Sequence, residues 1–576
     1  MAITYDYQAI VIGSGFGGSI NTCRLAKKWP GKVLLLERGK RYPKGSFPRS
    51  PHDFADKFFW NVKIEDGRSK PKKIADRNES HGLFDIRNFE HIDALVCAGL
   101  GGGSLIYANV FLQPPEEVFD ENWPATCKKS VLQPYYEVAK SVLGARPIPA
   151  NKGGDDPRRI IRTERFKEFA QSENTQSELV DINVFFGNDF DNPLEIGVQD
   201  KNRYGAIQTS CVYCGECDVG CNTHSKNTLD LNYLFAAENR YQAAIKTEML
   251  VEKIVPVDKD GNDSPEATGK FGFKVYWWDL NDNKKPCSAI TQRVVVSAGS
   301  LGSTELLMRC RDVYKTLPNI SDNLGKHFSG NGDFLSFVVQ GDKEVNPNYG
   351  PVITQRTDFN LFKDFNRQHA FVLEDASYPN FAAWYINALP GTSHLQAFFN
   401  AVKQWVMHLF SGNSTGQIGY FFRSLLQGDP NFYSSVLLCM GIDNSNGVMQ
   451  LNDKGFLNIK WPIDENMPLY NKILEIGHRF KAWSKAKAFI PLPNWLVRNN
   501  ITVHSLGGCR IADDPSNGVT SADLKTFGQV FGYQGLYVAD GSILPTSVGA
   551  NPIATISAMS ERVAEGITGI KPDADL

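Results

Sequence analysis

Four cysteines crowded into eleven residues give this 576-residue chain its clearest metal-binding pattern. Cys211, Cys214, Cys217 and Cys221 have the spacing of the cysteine run in bacterial ferredoxins. Thiolates are soft ligands, so this dense set favours an iron–sulfur cluster, with zinc or plain thiols and disulfides as the alternatives. Residue 222 is Asn where the ferredoxin run has Pro, and the sequence holds no second run. A three-iron cluster, or three of these ligands with a remote fourth, therefore stays open.

A glycine-rich turn near the N-terminus has the residue types that bind a dinucleotide phosphate. Glycines at 13, 15 and 18 follow a short apolar β-branched run and precede a helical run. Gly13 permits a tight turn, Gly15 lets the backbone approach a pyrophosphate, and Gly18 lets the helix meet the strand. A second strand-like run ends in Glu37, 24 residues after Gly13, where a ribose-binding carboxylate belongs. The unit predicts dinucleotide binding and leaves FAD and NAD open.

The elements that position these residues suggest two interleaved domains. The glycine-rich segment Cys97–Ser104 follows the first turn, and strand-like runs occur between 244 and 297. A second strand–glycine–helix pattern follows at 297–309, which indicates that the chain returns to its first domain there. From 333 to about 492 the sequence changes to longer loops, many aromatics and scattered strand-like runs. We therefore predict domains at 1–332 (with the cysteine loop at 205–235), 333–492 and a return to the first domain at 493–576.

Composition sets the broad class of protein. A hydrophobic fraction of 42% and a charged fraction of 22% are ordinary for a globular chain. Lys plus Arg is 61 and Asp plus Glu is 63, so the near-neutral balance gives no general attraction to nucleic acid. The sequence has no run of eighteen apolar residues and no signal-peptide pattern, which predicts a cytoplasmic protein without a transmembrane helix.

One segment suggests contact with a membrane or a lipid substrate. Apolar residues recur at three- and four-residue steps from Leu395 to Phe410, opposite a polar side, which predicts an amphipathic helix. The helix either packs on the core or covers a lipid-substrate entrance as a lid or peripheral membrane contact.

Four separated segments resemble the glucose–methanol–choline (GMC) oxidoreductases. They are GSGFGG with Glu37, the GLGGGS segment, SAGSLGSTELL at 297–307, and the C-terminal stretch with VHSLGGC and the residues from Tyr537 onward. The ending is most similar to the cholesterol-oxidase-like branch. The resemblance implies an α/β protein (α+β overall), with a Rossmann-type FAD domain and a separate substrate domain on a mostly antiparallel sheet.

The resemblance also implies roles for individual residues. The family motifs assign FAD contacts to Gly13, Gly15, Gly18, Glu37, Gly101, Gly102, Gly103, Ser104, Asn109, Val251, Asp540, Gly541, Asn551 and Pro552. His504 matches the residue that takes the hydroxyl proton, and a neutral histidine suits that step. Asn551 matches the active-site position that contacts the substrate oxygen.

The sequence departs from the cholesterol-oxidase pattern at one point. Those enzymes carry an active-site Glu that moves a steroid double bond, and our alignment places Asn431 at its position. This departure makes isomerase activity doubtful, whereas alcohol oxidation does not depend on that Glu.

Two functions of different classes follow. The first is FAD-dependent oxidation of an apolar, sterol- or terpenoid-like alcohol, with a sugar or polyol oxidase as the alternative substrate class. A cluster beside the flavin would favour a dehydrogenase that passes electrons to a carrier protein or quinone over an oxidase using dioxygen. The second is a flavoprotein electron carrier without alcohol turnover.

Overall fold

The computed structural model describes residues 3–50, 52–53, 58–62, 78–151, 153–380 and 430–576. Its strands, in chain order, are β1 Tyr7–Ile12, β2 Val33–Leu36, β3 Trp60–Val62, β4 Asn78–His81, β5 Phe84–Phe89, β6 Ile92–Cys97, β7 Ser177–Leu179, β8 Gln199–Lys201, β9 Ile207–Thr209, β10 Ala244–Lys246, β11 Met249–Pro256, β12 Phe273–Asp279, β13 Lys285–Val296, β14 Phe334–Val339, β15 Gln355–Phe359, β16 Phe371–Ala376, β17 Ser435–Gly441, β18 Val448–Leu451, β19 Leu457–Lys460, β20 Ala488–Pro491, β21 Asn500–Thr502, β22 Ile511–Ala512, β23 Thr520–Ser521 and β24 Leu536–Val538.

The α-helices of the described residues are α1 Phe16–Lys28, α2 Lys129–Leu143, α3 Ile161–Ser172, α4 Tyr233–Asn239, α5 Gly299–Met308, α6 Met467–Trp483 and α7 Ile553–Thr568. Helix α1 packs against α7 from the C-terminal part of the chain and against α4, and α7 also packs on α2. The two ends of the sequence therefore build one layer of helices together.

A seven-stranded sheet carries the N-terminal glycine turn. Its order is β10-β2-β1-β13-β12-β11, with β24 pairing along the second half of β13. The pairings among β10, β2, β1, β13 and β24 are parallel, and β11 and β12 extend the sheet as an antiparallel ribbon. All four residues of β2 are buried, as expected for a strand covered on both faces.

A second sheet confirms the predicted antiparallel architecture. Its six strands lie in the order β20-β14-β17-β16-β15-β7, and every neighbouring pair is antiparallel. Five of these strands come from the region that we assigned to the substrate domain, and β7 joins from Ser177–Leu179. The division at residues 332 and 492 remains a proposal.

A small, separate sheet has three strands. Strand β21 runs parallel to β6, which pairs with β5 in the antiparallel direction. Because β21 is followed directly by Val503 and His504, this sheet fixes the start of the VHSLGGC segment.

None of the helices in the described ranges is long and apolar enough to cross a membrane. The amphipathic helix predicted from Leu395 to Phe410 lies outside the described residues.

Candidate active site

One large cavity of about 1240 Å³ lies where the glycine turn, the C-terminal segments and the antiparallel sheet meet. Eleven of the residues singled out by sequence line it together: Gly13, Gly15, Glu37, Gly102, Gly103, Val251, His504, Asp540, Gly541, Asn551 and Pro552. They come from positions spread over more than 500 residues of the sequence. Tertiary folding therefore brings the separate motifs to one site.

The glycine turn leaves room for a ligand at one position only. A Cβ at Gly13 would lie 2.4 Å from the Ser297 carbonyl oxygen, and one at Gly18 would lie 1.8 Å from the Gly13 carbonyl oxygen. A Cβ at Gly15 would meet no atom within 4 Å. Gly13 and Gly18 thus serve packing within the protein, whereas Gly15 borders open space at the N-terminus of α1, which has no side-chain cap. Such a helix end suits a phosphate.

The two acids near this turn are held by protein hydrogen bonds. The Glu37 carboxylate accepts from the Ser14 N–H and hydroxyl and from the Gly39 N–H. Asp540 accepts from the Gly299 N–H and from the Ser542 N–H and hydroxyl. These bonds fix both carboxylates at the cavity wall, and their contacts with FAD stay a prediction.

Four further predicted residues do not line the cavity. Gly18 lies behind the turn, Gly101 has a φ of 109°, and the Ser104 hydroxyl donates to the Gly101 carbonyl oxygen. Asn109 is buried, and its amide atoms have no hydrogen-bond partner among the described residues. Gly18, Gly101 and Ser104 therefore lie behind the residues that form the cavity wall. Asn109 does not line the cavity.

His504 is oriented by a carboxylate that sequence reasoning missed. The ring Nδ1 lies 2.7 Å from Asp333 Oδ1, and Asp333 Oδ2 accepts from the backbone N–H groups of Val503 and His504. Asp333 is buried and stands immediately before β14. When Nδ1–H donates to the carboxylate, Nε2 keeps its lone pair for a proton. Nothing in the local sequence around Asp333 singles it out.

Asn551 contacts a second acid that sequence reasoning missed. Its Nδ2 donates to Glu374 Oε2 at 3.2 Å, while Asn551 Oδ1 and Glu374 Oε1 are buried without partners among the described residues. Burial raises the pKa of Glu374 to about 8, against the opposing effect of the Asn551 hydrogen bond. The sequence pattern that could have indicated Glu374 is an acidic residue within the otherwise apolar strand FVLEDA.

Asn431, which we aligned with the active-site Glu of cholesterol oxidases, does not line the cavity. Asn431 belongs to the short 3-10 helix Pro430–Tyr433 that precedes β17. Glu374, on the neighbouring strand β16, is the acid that the fold brings to Asn551. The structure therefore offers an acid beside Asn551 that the alignment did not consider.

The antiparallel sheet gives the cavity an apolar wall. Side chains alternate between the two faces of a strand, and the lining residues follow this rule on three neighbouring strands: Leu335 and Phe337 on β14, Val436 and Leu438 on β17, and Ala376 on β16. Glu374 lies in the same cross-strand row as Leu335 and Leu438. This part of the cavity wall is therefore apolar, and Glu374 does not itself line the cavity.

The iron–sulfur prediction finds no support. Among the described residues, which include all four cysteines of the run, no group of three or more His, Cys, Asp or Glu side chains is arranged to hold a metal ion. Cys211 and Cys217 are buried, whereas Cys214 is exposed. Burial raises the pKa of all three thiols in the metal-free protein. All four cysteines of the run line one small pocket.

Sequence comparison identifies the family. Residues 7–329 match the N-terminal part of the GMC oxidoreductase family, and residues 485–560 match its C-terminal part. The chain belongs to the GMC oxidoreductases, FAD-dependent enzymes that oxidise CH–OH groups. The matched ranges contain the glycine turn, His504 and Asn551.

Its relatives include two sterol enzymes. The chain is 29% identical to a cholesterol oxidase of Acinetobacter baumannii over 97% of this chain and 94% of the relative. It is 29% identical to a cholesterol oxidase of Mycobacterium tuberculosis over 97% and 90%, and 23% identical to a long-chain-alcohol oxidase of Arabidopsis thaliana over 97% and 67%.

Solved structures share the fold. A pyridoxine 4-oxidase from Mesorbium loti has a TM-score of 0.58 at 15% identity, covering 97% of this chain and 98% of the other. A formate oxidase has a TM-score of 0.59 at 14% identity, covering 98% and 99%. At these identities the likeness concerns the fold alone.

The cavity fits FAD on its own features. Open space at Gly15 adjoins an uncapped helix N-terminus, which suits the pyrophosphate, and the buried amide oxygen of Asn551 lacks a partner among the described residues. Between them, Gly102 and Gly103 present backbone to the same space.

Replacing Glu374 by Gln is expected to remove a pH dependence of stability. The carboxyl holds its proton up to a pKa of about 8 in the folded protein but only to about 4.3 when unfolded. The wild type therefore loses stability as pH rises between these values, and the variant lacks this loss. Thermal unfolding of both holoproteins at about pH 5 and about pH 8 measures it. An equal difference between the two proteins at both pH values contradicts the raised pKa.

Proposed function

We propose that this protein oxidises an apolar, sterol-like or long-chain alcohol to a ketone or aldehyde. The single observation that carries the proposal is the His504–Asp333 pair, which faces the same cavity as Asn551, the glycine turn and the apolar sheet wall. The names of the sterol and long-chain-alcohol relatives support the substrate class. The apolar wall disfavours a sugar or polyol.

The protein's own residues supply the proton chemistry. When bound, FAD supplies the acceptor for the hydride that leaves the carbinol carbon. His504 Nε2 takes the hydroxyl proton while Asp333 holds Nδ1–H and stabilises the imidazolium. The Asn551 amide positions the substrate oxygen. The apolar wall from β14, β16 and β17 excludes water around the reacting carbon.

Glu374 favours isomerisation as a second activity on steroid substrates. It lies directly behind Asn551, with one buried oxygen unpartnered among the described residues. As a carboxylate it would take a proton from the carbon between the new ketone and the double bond. As an acid it would return that proton to the far carbon, so the double bond moves into conjugation with no net change in atoms or electrons.

Replacing Glu374 by Gln should separate the two activities. With cholesterol as the probe, the variant is expected to reduce its flavin within a few-fold of the parent rate, because His504 and Asp333 are unchanged. Appearance of the conjugated ketone, followed by its ultraviolet absorbance, should fall by about 10²–10⁴. Equal rates of conjugation in both proteins would remove Glu374 from this role.

We further propose dioxygen as the electron acceptor. The sterol and long-chain-alcohol relatives are named oxidases, which supports dioxygen as the acceptor. Hydrogen peroxide formed in equal amount to ketone, measured with purified protein and air, supports dioxygen. Ketone formation that requires an added quinone or carrier protein contradicts it.

Anaerobic mixing with an alcohol panel tests the central proposal. Loss of the oxidised flavin band near about 450 nm with cholesterol or a long-chain alcohol supports alcohol oxidation. Bleaching only with sugars or polyols favours the alternative substrate class. No bleaching with any alcohol favours the flavoprotein electron carrier.

Asp333→Asn is expected to slow flavin reduction at least about tenfold, because an amide can donate to Nδ1 and fix the unproductive tautomer. The apparent pKa in the pH profile of reduction should shift as well, a change that loss of packing alone would not cause. Thr502→Val is the matched control, since the Thr502 hydroxyl donates to the same carboxylate without touching the ring. If both variants behave alike, Asp333 acts structurally and does not position His504.

A further inference from the structure

The main cavity is also lined by Asp218, a residue of the cysteine loop. Five other acids that line this cavity pair with a cation, a histidine, an N–H or a hydroxyl: Glu37, Asp85, Glu305, Asp333 and Asp540. Asp218 also lines it, but its Oδ1 is buried with no hydrogen-bond partner among the described residues. A buried polar atom without a partner is costly, so this oxygen is a candidate for a ligand contact.

Asp218 stands where the cysteine loop meets the substrate sheet. The Ser377 hydroxyl, just after β16, donates to the Gly215 carbonyl oxygen at 3.0 Å. Ser377 and Tyr378 line the cavity beside Ala376. Strand β16 therefore leads from Glu374, behind Asn551, toward the loop that carries Asp218. At about 3.3 Å per residue, the four steps from Glu374 to Tyr378 span on the order of 13 Å.

Lys226 does not satisfy this carboxyl. Its buried ammonium donates to the carbonyl oxygens of Leu105 at 3.1 Å, Tyr107 at 2.8 Å and Cys217 at 2.8 Å. An ammonium has three N–H donors, so these three bonds use all of them. Lys226 lies close enough that its charge lowers the pKa of Asp218, although burial dominates. The nearby positive charge removes the need for a cation in the ligand and favours a neutral donor.

We propose that Asp218 hydrogen-bonds a second hydroxyl group of the alcohol substrate, away from the reacting carbon. The cavity then selects an elongated apolar diol over the corresponding mono-alcohol. This inference rests on the proposed alcohol oxidation, whose reacting end lies at His504 and Asn551. The carboxyl discriminates because a mono-alcohol leaves it desolvated and unpaired.

A matched pair of probes tests the proposal in the holoenzyme. Anaerobic flavin reduction is measured with 1-decanol and with 1,10-decanediol, together with the Kd of each from the change in flavin absorbance on binding. The wild type is expected to prefer the diol about tenfold or more in Kd. Having two reactive ends gives the diol only a twofold statistical advantage, so a larger preference requires a second contact.

Three variants test whether the Asp218 carboxyl causes the preference for the diol. Asp218→Leu keeps similar volume without polarity and should reduce the diol preference to about the statistical factor of two. Asp218→Asn keeps a polar group and should retain part of it, which provides a reading if the leucine variant fails to fold. Glu216→Gln is the control, because Glu216 lies on the same loop but pairs with Arg49 at 2.6 Å. It should keep the full preference.

The outcomes distinguish a contact of Asp218 with the substrate from a contact with FAD. An equal diol preference in the wild type and Asp218→Leu overturns the proposal, as does a wild-type preference of only about twofold. Loss of FAD from folded Asp218→Leu, measured as flavin absorbance per chain, also overturns it, because the carboxyl then serves the cofactor. If no alcohol reduces the flavin, the proposed oxidation fails, while the ratio of Kd values still decides the role of Asp218.

Discussion

His504→Ala is expected to slow flavin reduction by alcohol by about 10²–10⁴ while FAD content stays unchanged. Hydride departure from carbon requires the oxygen to lose its proton at nearly the same time, and a positioned base supplies that step. Asp333 fixes the ring with a 2.7 Å contact to Nδ1, so the lost group is a pre-oriented base as well as a basic nitrogen. Anaerobic stopped-flow mixing of holoprotein with cholesterol or a long-chain alcohol measures the rate.

Added imidazole should recover part of the lost rate in His504→Ala, because a small base can enter the space left by the ring. His478→Ala is the control, since His478 packs against Phe489 and does not line the cavity. It should reduce at the parent rate. A His504→Ala protein that reduces its flavin as fast as the parent contradicts the assignment, and the search for the base would then turn to Glu374 and Tyr378.

Gly15→Val is expected to give a folded protein that does not retain FAD. Gly15 has φ −64° and ψ −169°, which any residue adopts, and a Cβ there would meet no protein atom within 4 Å. The valine therefore fits the fold but fills the space next to the helix N-terminus where the pyrophosphate is expected. Flavin absorbance per chain, together with circular dichroism and thermal unfolding, measures both effects.

Gly18→Val should behave differently, because its Cβ would lie 1.8 Å from the Gly13 carbonyl oxygen. That contact disrupts the strand–helix junction itself, so this variant is expected to lose its fold along with its flavin. A Gly15→Val protein that keeps its full yellow colour would place the pyrophosphate elsewhere. An unfolded Gly15→Val protein would contradict the open space at this position.

The fold class could be predicted because its signals are local or repeated along the chain. The glycine turn depends on a few adjacent residues with a fixed backbone requirement, such as the φ of 93° at Gly13. The change in character after residue 333 correctly predicted the antiparallel sheet. The resemblance over four ordered motifs predicted the family that sequence comparison then identified.

Two of the predictions gained no support from the structure. The cysteine spacing is that of a ferredoxin run and all four cysteines line one small pocket, but no group of three or more ligands among the described residues is arranged to hold a metal ion. Asn431 does not line the cavity, whereas Glu374 lies beside Asn551. That contact was not evident from the sequence, because β16 and β17 are side by side in space but separated in sequence.

The sequence alone predicted the glycine turn, the family and candidate roles for His504 and Asn551, because each lies in a short motif. Their partners could be identified only in the tertiary structure. Asp333 lies 171 positions before His504, and Glu374 lies 177 positions before Asn551. Strand pairing and sheet order, which sum many weak contacts over the whole chain, bring such residues together. No local sequence pattern predicts which acid a strand will place beside a given histidine or amide.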